Sequence, residues 1–74
     1  MSSVDMQLVR SSTISAIGYD HQTRTLFVRF RRTRETYAYH DVEQSVFKAF
    51  LSAQSKGQYF NDCVRDRYAH TKPV

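Results

Sequence analysis

Seventy-four residues allow one small domain with one core. A hydrophobic content of 41% with five Phe and five Tyr excludes a disordered chain, and no apolar run approaches the length of a membrane-spanning helix. The net charge of +4 leans toward polyanionic partners without naming one.

Residues 1–10 read as a flexible lead-in, and Met6 is a second candidate start. The opening MSSVDMQLVR has no apolar block of signal-peptide length and carries an acid. With the single cysteine, Cys63, unable to form an internal disulfide, this points to a reducing, cytoplasmic setting. From Ser11, a Ser-Ser-Thr run hands over to a first strand, Ile14-Ser15-Ala16-Ile17-Gly18-Tyr19. Gly18 inside it points to a bulge or a close backbone approach. Asp20-His21-Gln22-Thr23 has the chemistry of a turn, Asp being favoured at its first position.

The clearest strand follows. In Leu26-Phe27-Val28-Arg29-Phe30-Arg31, Leu26, Val28 and Phe30 make one apolar face, while Phe27, Arg29 and Arg31 make a mostly basic one. A turn at Thr33-Arg34 leads into a third strand over 35–40. A two- or four-residue loop centred there sets Phe30 opposite Tyr37 and Val28 opposite Tyr39, placing both tyrosines with the core. A three-residue loop flips them to the arginine face. The simplest loop makes at least one of the two tyrosines core-supporting.

A helix is expected from Asp41. Asp41 and Gln44 have the spacing of a capping box, with Glu43 in the first turn. Val42, Val46, Ala49, Phe50 and Ala53 recur at helical spacing, widened by Phe47 and Leu51. A second helix is expected from Ser55, which forms a capping-box pair with Gln58. Its apolar face is Tyr59, Phe60, Cys63, Val64 and Tyr68. Gly57 near its start lowers helix propensity and points to a close approach. Residues 69–74 read as a flexible tail. The predicted fold is α+β: a three-stranded antiparallel meander over 13–19, 24–32 and 35–40, followed by two helices, 42–53 and 56–66, on one face. Leu26, Val28, Phe30, Val46, Phe50 and Phe60 are expected among the most buried residues.

Catalytic chemistry is not visible. His21, His40, His70 and Cys63 have none of the short spacings of a metal site, and there is no Gly-rich phosphate loop. Cys63 falls on an apolar helix face, where a thiol is usually an inert small hydrophobe. No enzyme, cofactor or metal is expected. Binding chemistry is visible. Arg24, Arg29, Arg31, Arg32 and Arg34 fall in a stretch of eleven residues with no acid, five of the chain's eight arginines. Interleaved aromatic residues, Phe27, Tyr37 and Tyr39, offer faces on which single-stranded bases stack while arginines hold phosphates. The competing meaning is a solvated sheet face kept soluble by charge, with tyrosines in an ordinary half-buried strand role. Ser55-Lys56-Gly57 is a second candidate, a phosphate seat at a helix start with a lysine beside it. An ordinary helix-to-helix turn has the same composition.

Taken together, these residues resemble the KTSC domain, a small domain found at the C-terminus of some lysyl-tRNA synthetases and as a free-standing bacterial protein. The resemblance runs over 11–68. It rests on Ser12 and Ile14, Ile17-Gly18-Tyr19-Asp20, Leu26-x-Val28-x-Phe30, Tyr37-x-Tyr39, Val42, Val46-Phe47, Ala53-x-Ser55-x-Gly57-x-Tyr59-Phe60-Asn61, Val64 and Tyr68. Two positions depart from it. The family usually has proline where this chain has Glu43, and glycine in the turn that here reads Arg32-Thr33-Arg34. The resemblance implies a β-meander followed by helix, and an association with RNA by analogy. The expected function is thus a small basic binding module for RNA or another polyanion, through Arg29, Arg31, Arg32, Arg34, Tyr37, Tyr39 and Lys56. The alternative is a protein-interaction or accessory module, as a monomer or weak homodimer.

Overall fold

In the computed structural model, which describes residues 5–71, the chain runs through β1 (Gln7–Leu8), β2 (Ile14–Asp20), β3 (Thr25–Phe30), β4 (Thr36–Tyr39), α1 (Gln44–Ser52), α2 (Lys56–Tyr59), a π-helical segment Phe60–Val64, and β5 (His70–Thr71). The fold is α+β. The strands lie side by side in chain order, each antiparallel to the next, so the sheet has five strands where the sequence predicts three. The additions are two-residue edges drawn from the expected lead-in and tail. β5 is held on β4 by His40, whose backbone N–H donates to the Ala69 carbonyl and whose Nε2 meets Thr71 Oγ1 at 2.9 Å.

Alternation assigns every strand residue to a face. Leu26 lies between Tyr19 and Tyr39, and Val28 between Ile17 and Tyr37, with Phe30 opposite Ile14. This is the core face. Ile14, Ile17, Leu26 and Val28 are fully buried, and Phe50, Phe60 and Val64 close over them from the helical side. Phe60 meets Phe30 and Tyr39 edge-on, at 5.1 and 5.6 Å. Phe30 and Val46, expected among the most buried, are half-buried at the margin of this core. Ala49, expected on the buried stripe, faces water.

Both long hairpins close with four-residue loops, 21–24 and 31–34, whose last residues, Arg24 and Arg34, are left-handed at φ 57° and 61°. Asp20 Oδ1 accepts the Gln22 N–H in the first loop, an Asx-turn where the sequence predicts a turn opened by Asp20. In the second, the Phe30 N–H donates to the Glu35 carbonyl and the Arg34 N–H to the Phe30 carbonyl. The loop is centred on Arg32-Thr33, not Thr33-Arg34. Tyr37 therefore faces Val28, and Tyr39 faces Leu26, two residues away from the predicted pairing. A shift of two preserves the face, so both tyrosines lie on the core side. Arg34 occupies a conformation that glycine adopts without a Cβ penalty. Arg34→Gly is expected to stabilise the domain by about 0.5–1 kcal/mol, after the added freedom of the unfolded glycine is subtracted. Urea unfolding checks this; a destabilised variant would mean that the loop does not require the left-handed residue.

The helix predicted from Asp41 starts later. Asp41 is left-handed at φ 57°, and Val42 is tied to the sheet. Its N–H donates to the Arg24 carbonyl, and its carbonyl accepts the Tyr19 hydroxyl. With both backbone groups committed, Val42 cannot enter a helix, and the Asp41–Gln44 box does not form. Glu43 becomes the N-cap, without a side-chain capping bond. Gly18 pairs regularly with Phe27; the irregularity in β2 falls between Ile14 and Ala16. The predicted second helix is a single α turn that widens at once, the Arg65 N–H reaching back to the Phe60 carbonyl.

Candidate nucleic-acid interface

The helices cover one face of the sheet. By alternation the other face carries Leu8, Ala16, Gly18, Phe27, Arg29, Thr36 and Ala38, and among the described residues no helix lies over it. Phe27 sits between Gly18 and Ala38, and Arg29 between Ala16 and Thr36. Each long side chain is flanked by small ones; Arg29 is exposed and Phe27 is half-buried.

At the loop end of this face, Ser15, Arg29, Arg31, Arg34 and Thr36 line an open depression of about 590 Å³. Two of the arginines are held in place. Arg29 Nε donates to the hydroxyl of Thr36, its cross-strand partner, at 3.3 Å. Arg31 Nε donates to the Ser11 carbonyl at 2.8 Å, and its backbone N–H to the Thr13 carbonyl at 2.9 Å. Ser15 Oγ donates to the Arg29 carbonyl at 3.4 Å. Among the described residues no carboxylate pairs with these guanidiniums, so their terminal N–H groups remain for a ligand. Three like charges around one depression repel one another, and an anion placed between them relieves this.

The sequence-predicted residues divide. Arg29, Arg31 and Arg34 come together. Arg32 is exposed in the same loop but does not line the depression. Arg24 lies at the other end of β3, roughly 20 Å of strand away. Tyr37 and Tyr39 lie on the opposite face. Tyr37 is half-buried, stacked on the His70 ring at 5.7 Å, and Tyr39 is 2% exposed. Phe27 is the aromatic residue that shares the arginine face. Ser15 and Thr36 are additions. Thr36 faces Arg29 only because the loop is centred on Arg32-Thr33, the expected centre pairing Arg29 with Ala38; Ser15 depends on the irregularity in β2.

Ser55, Lys56 and Gly57 lie elsewhere, and the protein itself occupies their binding groups. Ser55 Oγ accepts the Gln58 N–H at 3.2 Å, and Lys56 Nζ donates to the Ala53 carbonyl, closing the end of α1. Gly57 lies against Thr13: a Cβ there would sit 3.1 Å from Thr13 Oγ1. Gly57 thus makes a close approach, as expected of it, to the residue before β2. His21, His40, His70 and Cys63 form no cluster. Among the described residues no group of three or more His, Cys, Asp or Glu is placed to hold a metal ion, and no helix is long and apolar enough to cross a membrane.

The model of the KTSC domain matches residues 10–68. The chain belongs to the KTSC domain family. A KTSC domain protein of Yersinia pestis, known from its crystal structure, superimposes with a TM-score of 0.91 at 33% identity, over 97% of this chain and 99% of that one. A protein of Tsukamurella paurometabola is 41% identical over 63 residues, 85% of this chain and 92% of its own length.

Titration is perturbed on the core face. Burial pushes the Tyr39 phenol up from 10.0 to about 12, with the Tyr37 phenol adding, the Arg65 guanidinium opposing and the Asp66 carboxylate adding. Burial likewise raises Tyr59, helped by Cys63 and Tyr68. Because the folded value of Tyr39 exceeds the unfolded one, its contribution to stability is intact below pH 10 and is lost as pH rises through about 12. We expect a loss of ~1–2 kcal/mol between those limits, reduced from the full linkage value by solvent at the rim. Tyr39→Phe should flatten that slope in urea unfolding. An unchanged slope would place the alkaline sensitivity elsewhere.

Proposed function

We propose that this KTSC domain is a small RNA-binding module that holds phosphates with Arg29, Arg31, Arg32 and Arg34 on the open face of its sheet and offers Phe27 as a stacking surface for a base. The observation that carries this is the convergence of Arg29, Arg31 and Arg34 with Ser15 and Thr36 on one uncovered depression. The chain's role is binding rather than catalysis, its polar groups being donors to an anion and not a nucleophile beside a base. Tyr37 and Tyr39 support the face from behind. Phosphate contacts dominate affinity and carry no base information, so binding is micromolar or weaker and tolerant of sequence.

The test is a titration of single-stranded RNA across a range of salt concentrations. With about four phosphates neutralised, log affinity against log salt should fall with a slope of roughly −3. A flat salt dependence would remove the phosphate strip.

A second reading, a protein-interaction module paired with another copy, is supported by Leu8, a large apolar side chain 85% exposed on the two-residue edge strand β1. Sedimentation of the free protein separates the two. A concentration-dependent dimer abolished by Leu8→Lys favours pairing.

A further inference from the structure

The arginines are not spread along the sheet as a track for a strand passing through. Arg29, Arg31 and Arg34 meet at one end of it, around a single depression with two hydroxyls, and Phe27 follows along the same face. An internal phosphodiester brings one negative charge and two non-bridging oxygens. A terminal phosphate monoester brings a charge of roughly −1.5 to −2 at neutral pH and three strong acceptor oxygens. Three guanidiniums and the Thr36 hydroxyl, whose proton is not used within the protein, match the monoester better on both counts. The arginines are also prepared for it. Arg29 and Arg31 each use Nε internally, on Thr36 and on the Ser11 carbonyl, which fixes each plane and leaves the terminal N–H groups outward.

We propose that this depression is a seat for the terminal phosphate of an RNA strand, so that the domain recognises strand ends. This rests on the RNA reading above and names the part of the RNA that is read. Phe27 stands two residues before Arg29 on the same face, about 7 Å along the strand. That spacing lets the base of the terminal nucleotide reach Phe27 while its phosphate fills the depression. Arg34 completes the seat from the β3–β4 loop, in a left-handed conformation that a glycine would hold without its charge.

The test uses the full chain and three single-stranded RNA oligonucleotides of one sequence, carrying a 5′-phosphate, a 3′-phosphate, or hydroxyls at both ends. Fluorescence anisotropy at moderate salt gives the three affinities. One phosphorylated RNA should bind about tenfold more tightly than the hydroxyl-ended one, and the other phosphorylated RNA controls for the added charge. Arg34→Gln keeps the backbone requirement of position 34 and should erase that preference, while Arg32→Gln should weaken all three RNAs alike. Equal affinity for all three RNAs, or an Arg34→Gln effect equal on all three, overturns end recognition and leaves the phosphate strip standing. Failure of all three to bind at low salt overturns both.

Discussion

Phe50→Ala is expected to cost ~3–5 kcal/mol, as truncations of large core residues do. Phe50 is fully buried and is the only residue of α1 that is. It stacks on Tyr59 of α2 at 5.2 Å, so it joins the two helices as well as holding α1 to the sheet. Val46, Phe47 and Leu51 add partly buried contacts, Phe47 stacking on Tyr19 at 5.2 Å. The N-cap of α1, Glu43, makes no side-chain bond, its first turn has no acid and its last turn no base. A helix of this length has little stability apart from its packing. A domain of this size is worth only ~4–11 kcal/mol in total, so the variant should be largely unfolded or close to it. Urea denaturation measures this. A loss below ~1 kcal/mol would show that α1 does not depend on its contact with the sheet.

The joint replacement Arg31→Glu and Arg34→Glu is expected to reduce RNA affinity by more than ~100-fold at low salt while leaving the fold intact. Each change removes a proposed phosphate contact and adds repulsion at the same place. Both side chains are exposed, and exposed charges contribute little to stability. The single internal bond at risk is that from Arg31 Nε to the Ser11 carbonyl, on the surface. Arg24→Glu serves as control: it changes the net charge but lies at the far end of β3 and should cost much less affinity. The control changes the net charge by half as much as the pair, so a control loss of about half the pair's on a logarithmic scale would mean that overall charge, and not the depression, holds the RNA.

Much of this was legible in the sequence, for identifiable reasons. The alternation of Leu26, Val28 and Phe30 against Phe27, Arg29 and Arg31 was strong enough to fix the two faces of β3, but the face of Tyr37 and Tyr39 hung on whether the loop was even or three residues long, which its composition left open. The loop's centre did not follow. It depends on Arg34 accepting a left-handed conformation, which glycine would have advertised and arginine conceals. The start of α1 was hidden for a similar reason. Asp41 looks like a cap by spacing, but Tyr19 and Arg24, distant in sequence, claim both backbone groups of Val42. Edge strands of two residues, such as Gln7–Leu8 and His70–Thr71, carry too few side chains to show a period. At the site, clustering identified the arginines, but composition alone did not separate Arg24 from the rest or place Lys56 on the Ala53 carbonyl.

The most direct test is amide NMR of the full chain during addition of a short single-stranded RNA at low salt. Shifts should concentrate on Ser15, Phe27, Arg29, Arg31, Arg34 and Thr36, diminish as salt is raised, and spare Ser55, Lys56 and Gly57 on the helical side. No shifts at ~1 mM protein, or shifts confined to the helical side, would contradict RNA binding on the open face of the sheet.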